Sequence, residues 1–228
     1  MKYLRVLLVG VFLQSSLCSS SEAIGYYSSG TLKDSESVMD KGMFIHKLFL
    51  ARKRFFGTVE MNDIISDAVD FLRHKFPGVE QMQIGDIANK NGGACNEHAS
   101  HQNGLDADIV YLTKNGKLQS PDAAYWEEDF VKNKKVSSNF NTERNFLLFK
   151  YLINTKPVAR IFVDEAVKKL LCTHAKDNDL MDDPETIETL RRLRVEKLHS
   201  THFHMRLKCS DKDYSCESQG EVPPGSGC

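Results

Sequence analysis

The chain has 228 residues, 41% of them hydrophobic and 27% charged, with 30 Lys+Arg against 31 Asp+Glu for a net charge of −1. That length and apolar share suit one domain with a full core. The near-neutral balance lacks the basic footprint of a nucleic-acid binder, and no apolar run reaches the roughly 20 residues of a membrane span.

Residues 1–23 read as a secretory signal peptide: Lys2 and Arg5 give the charge, 6–13 the apolar core, and Ser21-Glu22-Ala23 small residues for cleavage after Ala23. A lipoprotein reading at Cys18 is weaker, because Leu17 stands where a small residue is wanted. The remaining stretch, 24–228, shows no repeat, low-complexity tract or dividing linker. Export places Cys95, Cys172, Cys209, Cys216 and Cys228 in an oxidising compartment, where disulfides are expected before metal ligation.

Residues 24–57 read as an irregular entry segment, with Arg52-Lys53-Arg54-Phe55-Phe56 as a loop whose aromatics pack and whose charges stay wet. Helical spacing over 61–76 (Ile64, Ile65, Ala68, Val69, Leu72, Phe76) predicts a helix with Asn62 as N-cap and Pro77-Gly78 as its stop, His74 being exposed. A short strand is expected at 81–86 with Met82 and Ile84 inward, then an Asn- and Gly-rich loop lining a cleft, then a strand at 105–112. Lys114-Asn115-Gly116-Lys117 signals a hairpin turn, and Ser120-Pro121 opens a helix to Val131. A helix at 145–153, a buried strand at 158–163, a helix at 165–172 capped by Asp164 and one from Asp183-Pro184 to Leu193 complete the body. Strands and helices mix without βαβ regularity, so the class is α+β.

Two stretches carry the chemistry. Residues 92–111 and 199–209 together hold five of the eight histidines, plus Asp106 and Asp108. Imidazole and carboxylate are the ligand set of a hydrolytic zinc, which takes three protein ligands and keeps a position for water. Strand alternation puts Asp106 and Asp108 on one face, and His202 and His204 on one face of a second strand. Gly104 permits the turn that folds His101 back toward Asp108. His101, Asp108 and His204 then form the expected zinc set, with His202 beside it. His-Glu-x-x-His is absent, so the general base is not a helix-borne glutamate. His202 is the candidate base, His199 polarises the scissile carbonyl or stabilises the oxyanion, and His98 is an extra ligand or a hydrogen-bonding partner. Asp106 reads either as a carboxylate that orients a histidine ligand or as a hydrogen-bonded strand residue. His46 and His174 read as ordinary. Cys95 is read as a free thiol in preference to a fourth zinc ligand.

The pattern His98-Ala-Ser-His101-Gln-x-Gly-Leu-Asp106-x-Asp108-Ile, with His199-x-x-His202-x-His204-x-Arg206-Leu-x-Cys209 far downstream, resembles the penicillin-insensitive murein endopeptidases. These fall in the wider group of lysostaphin-type peptidases, D-alanyl-D-alanine peptidases and Hedgehog domains. Shorter matches are Ser28-Ser29-Gly30, Arg54-Phe55-Phe56-Gly57, Ile84-Gly85-Asp86, Ile161-Phe162-Val163 and the Pro223-Pro224-Gly225 end. The resemblance implies a small central antiparallel sheet carrying the site, flanked by helices, and one zinc on His101, Asp108 and His204. His98, His199 and His202 then belong to the active site. It further implies periplasmic action on the D-alanyl–meso-diaminopimelyl cross-links of peptidoglycan, and disulfides Cys209–Cys216 and Cys172–Cys228. This chain departs from many relatives in carrying Thr31 where they have a cysteine, and Lys132-Asn133-Lys134-Lys135 offers no ligands for the peripheral metal of some relatives. Two rivals remain: a zinc D,D- or L,D-carboxypeptidase that trims peptide stems, and a non-catalytic zinc-bearing wall-binding domain. Retention of His199 and His202 argues against the second.

Overall fold

The computed structural model describes residues 20–41 and 44–228, so the apolar stretch read as a signal core lies outside the described residues. A hairpin opens the fold, β1 (Glu22–Tyr26) pairing antiparallel with β2 (Ser29–Lys33). β3 (Glu36–Ser37), β4 (Ile45–Lys47) and β5 (Phe56–Gly57) follow, with β3 and β5 paired. The segment expected to be irregular is therefore rich in strands. β2 alternates exposed and buried residues on a surface hairpin, and the others are too short to show a period.

Helix α1 (Val59–Lys75) buries Met61, Ile64, Ile65, Ala68, Val69 and Leu72 along one stripe. Its cap is Thr58, which accepts from the Met61 N–H at 3.1 Å; Asn62 instead sits buried in the first turn and donates to the Glu36 carbonyl. β6 (Met82–Ile84) and β7 (Asp106–Val110) follow, separated by a long loop. After β7 a tight turn forms where the hairpin was expected, the Thr113 hydroxyl accepting from the Gly116 N–H at 3.0 Å. No strand returns from it, because β6 and β12 occupy both edges of β7. The helix expected from Ser120 is also not formed. The Ser120 N–H donates to the Glu127 carboxylate (2.7 Å) and the Glu127 N–H to the Gln119 side chain (2.8 Å), local bonds that compete with a helical ladder.

The chain continues through the small hairpin β8 (Val131–Lys132) and β9 (Lys135–Val136), α2 (Thr142–Asn154), β10 (Val158–Val163), α3 (Glu165–Asp177), α4 (Pro184–Arg192), β11 (Leu193–Val195) and β12 (His202–Leu207). Asn141, Asp164 and Asp183 cap the three helices through their side chains. The central sheet runs β11-β10-β12-β7-β6-β4. Pairings around the middle are antiparallel, with a parallel pair at each edge. One face, carrying Ile109, Phe203 and Met205, packs into the core, where Phe149 of α2 meets Phe203 edge-on at 4.9 Å. The opposite face carries the histidines. Disulfides join Cys172 to Cys228 and Cys209 to Cys216, and Cys95 is buried and unpaired. Among the described residues, no helix is long and apolar enough to cross a membrane.

Near the start of the described residues, Ser21 and Ala23 are tied into the fold. The Ser21 hydroxyl accepts from the Val59 N–H at 2.6 Å, satisfying a free donor at the start of α1. The Ala23 N–H donates to Asp213 at 3.3 Å, and the Ala23 side chain is fully buried. A chain starting at Ile24 is therefore expected to be about 1–3 kcal/mol less stable than one starting at Ser21. Denaturant titration of the two proteins measures this, and equal midpoints would show that these contacts contribute nothing.

Candidate active site

Pairing of β7 with β12 sets His204 opposite Asp108 and Arg206 opposite Asp106. Alternation then turns Asp106, Asp108, His202, His204 and Arg206 to one face of the sheet. Asp106 is wholly buried, and four N–H groups converge on it. They are the Nε2 of His204 (2.9 Å), Nε (2.7 Å) and Nη2 (3.1 Å) of Arg206, and the backbone N–H of His101 (3.1 Å). Burial alone would raise its pKa, but His204 and Arg206 outweigh this and hold the carboxyl far below its usual range. Asp106 is hydrogen-bonded across the strand pair to Arg206 and is also placed to orient the His204 ring.

His101 adopts left-handed backbone geometry (φ 66), unusual for a residue with a side chain. The next turn needs Gly104 (φ 75), where an added Cβ would lie 2.7 Å from Leu32. His101 Nδ1 donates to the Ile87 carbonyl at 2.7 Å, which aims Nε2 at Asp108. Three imidazole nitrogens crowd one oxygen, Asp108 Oδ1: His204 Nδ1 at 3.2 Å, His101 Nε2 at 3.3 Å and His202 Nε2 at 3.5 Å. None of these contacts has hydrogen-bond alignment, and both His101 Nε2 and Asp108 Oδ1 are buried without a partner. Buried polar atoms are nearly always satisfied, so this orphaned pair, with the free Nδ1 of His204, fits a cation between them. His98, His101 and Asp108 also offer donor atoms within 4.8 Å of one another. These residues can hold a metal.

Around this centre, His98 Nε2 lies 2.9 Å from Asp86, with Nδ1 3.8 Å from Asp108. His202 stacks on Trp126 (4.4 Å between centroids, 14° between planes), with Nδ1 2.9 Å from the Thr201 hydroxyl. His199 Nδ1 donates to the Lys197 carbonyl at 2.7 Å, leaving an Nε2 lone pair in the neutral ring. Burial, then the imidazoles of His202 and His204, lowers its pKa to about 4. Oxyanion stabilisation by His199 therefore requires it first to take up a proton. Burial pushes the Cys95 thiol up to about 11, and the side chain is buried and unpaired. His46 bonds the Gln119 carbonyl and His174 packs on Phe146, both away from the centre.

All six site histidines and aspartates other than Asp106 line one cleft of about 680 Å³. Asp86, Arg52, Arg54, Trp126 and Thr201 were missed as site neighbours. Arg52 and Arg54, expected to be wet, instead reach the buried Asp86 at 2.9 and 3.4 Å. Arg206, named in the sequence only as part of the family pattern, falls at the period-two spacing that puts it on the face of His202 and His204.

An α+β sheet whose clustered histidines and aspartate can hold a metal on the wall of a cleft is an arrangement suited to a metal-dependent hydrolase. Residues 23–228 match the family model described as penicillin-insensitive murein endopeptidase. The penicillin-insensitive murein endopeptidase of Haemophilus influenzae is 32% identical over 211 residues, spanning 90% of this chain and 70% of the relative. Relatives of the same description in Klebsiella pneumoniae and Escherichia coli are 29% and 31% identical, each match spanning 92% of this chain and 74% of the relative. The chain belongs to this metallopeptidase family.

Asp106→Asn leaves Arg206 buried beside a neutral amide. Removing one partner of a buried pair costs about 3–5 kcal/mol, and loss of a carboxylate that orients a ligand weakens metal binding roughly 10–100-fold. Thermal unfolding and competition with a metal chelator measure both. Wild-type stability would show that the carboxylate does not tie the two segments together.

Proposed function

We propose that this protein is a zinc-dependent murein endopeptidase of the periplasm that hydrolyses D-alanyl–meso-diaminopimelyl cross-links of peptidoglycan. The observation that carries it is the convergence of His101 Nε2, Asp108 Oδ1 and His204 Nδ1, two of them buried without a partner, in a chain of this family. One zinc per chain would sit on these three residues. When bound, it supplies Lewis-acid activation of water and of the scissile carbonyl.

The protein's own groups supply the rest. Asp106 keeps the proton of His204 on Nε2 and so frees Nδ1. The Ile87 carbonyl does the same for His101, keeping its proton on Nδ1. His202 takes the proton of the attacking water; the Trp126 stack and Thr201 fix its ring. His199, neutral at rest, accepts a hydrogen bond at Nε2 and stabilises an oxyanion only when protonated. His98 is held by Asp86 and positions the ligand side of the cleft. The apolar residues 6–13 support export by an N-terminal signal peptide.

Purified protein is expected to contain one zinc per chain by elemental analysis, lost in His101→Ala, Asp108→Ala and His204→Ala. Full occupancy in the histidine variants would sink the ligand set. His202→Ala should keep its zinc and lose hydrolysis on the order of 10²–10⁴-fold; activity within a few-fold of wild type moves the base to His199. Digestion of purified muropeptides separates the readings. Cross-linked dimers falling to monomers mark an endopeptidase, shortened stems a carboxypeptidase, and unchanged substrate a binding domain.

A further inference from the structure

On the His98 side of the cleft stands a preorganised cation, Arg52, at the end of the 3-10 turn Leu50–Arg52. Its guanidinium is fixed on three sides. Nη1 lies 2.9 Å from Asp86 Oδ2, Nη2 donates to the Ala124 carbonyl, and the Phe49 ring stacks 4.0 Å from its central carbon. The same Asp86 oxygen binds His98 at 2.9 Å, so Arg52 is one carboxylate oxygen away from the histidine facing Asp108. Among the described residues, its remaining charged contact is Glu97, 3.3 Å away, with a side chain 56% exposed. Glu97 also lines the cleft, on backbone held in the left-handed region (φ 73). A strained backbone thus places an exposed carboxylate on a rigid arginine beside the reaction centre.

We propose that Arg52 is the receptor for the α-carboxylate on the amine side of the scissile bond, and that Glu97 holds that carboxylate's place in the free protein. The proposal rests on the peptidase reading above. In a D-alanyl–diaminopimelyl cross-link the carbon bearing the scissile nitrogen also bears a free carboxylate, and the same holds for a terminal D-alanine. Substrate therefore brings an anion two bonds from the scissile nitrogen. A guanidinium fork matches a carboxylate in two parallel hydrogen bonds. Glu97 is 56% exposed, against 19% for Arg52, and its Oε2 also lies 3.8 Å from Arg54 Nη1; water screens a carboxylate so open, so an incoming carboxylate can displace Glu97.

The test uses two cross-linked peptides that differ only in carrying a carboxylate or a carboxamide at that position. Hydrolysis by the zinc-loaded protein, and calorimetric binding to the metal-depleted protein, are measured for each. Wild type is expected to favour the carboxylate about 10- to 100-fold in kcat/KM, chiefly through KM. Arg52→Gln should lose that preference by weakening on the carboxylate peptide alone, with zinc content unchanged. Arg52→Lys, which keeps a charge beside Asp86, should lose most of it, and Glu97→Gln should lower KM for the carboxylate peptide. Equal use and binding of both peptides by wild type, or an equal loss on both in Arg52→Gln and Arg52→Lys, overturns the proposal. So does an unchanged KM in Glu97→Gln. If wild type cleaves neither peptide yet binds the carboxylate form through Arg52, the receptor stands and the peptidase reading falls.

Discussion

The buried Asp106 carboxylate is the interaction on which the rest depends. It accepts from His204 and Arg206 on β12 and from the backbone of His101 in the preceding loop, so segments about a hundred residues apart meet on one side chain. A carboxylate wholly out of water is tolerable only with its lone pairs filled and its charge matched. Arg206 supplies the match and in turn lies over the Tyr27 ring, 4.1 Å away, which brings the first hairpin into the same cluster. Stability and site geometry thus share one cause. The bond that neutralises Asp106 also decides which nitrogen of His204 is free.

Asp86 does the corresponding work on the other wall. It is nearly fully buried and collects His98, Arg52 and Arg54, the last reaching on to the Asn96 carbonyl. Burial would raise its pKa, but His98, Lys47 and Arg52 together keep it ionised. Between Asp106, with both oxygens bonded, and Asp86, bonded through Oδ2, lies Asp108, whose Oδ1 has imidazoles near it on three sides and no aligned partner. Asp86 keeps one unpartnered oxygen, Oδ1, but at the centre an imidazole nitrogen and a carboxylate oxygen, His101 Nε2 and Asp108 Oδ1, face each other unpaired. A site left incomplete in this way is built for a ligand that the polypeptide does not provide.

The histidine strand, the Asp106–Asp108 face and the capped helices α3 and α4 were legible because they obey short-range rules: a period of two, an aspartate before a first turn, a proline at its start. The two disulfides followed from family resemblance instead. What escaped notice depends on tertiary partners. Arg52 and Arg54 look like any basic loop until Asp86 is buried beneath them, and β4 is three residues held by pairing with β6. Thr58 and Asn62 are both good caps by residue type. Asn62 is spent on the Glu36 carbonyl, and nothing local distinguishes the two.

The failed helix at 120–131 is the most instructive of these. Serine and proline there satisfy the usual start signal, yet Glu127 and Gln119 bond backbone groups that a helix would need. The result is an irregular arm that lays Trp126 flat on His202 and against Gly85, where an added Cβ would come within 2.5 Å of the indole. Departures from local preference recur around the same cleft: Glu97, His101 and Leu198 all take left-handed backbone, and Leu198 does so while 89% exposed. Conformations of this kind persist only where surrounding contacts over-determine them. At His101 those contacts are visible as the Asp106 and Ile87 hydrogen bonds that aim its Nε2 at Asp108. Local order has been surrendered at the points where side chains must face the reacting centre, and the rigid pair β7–β12 beneath them makes that possible.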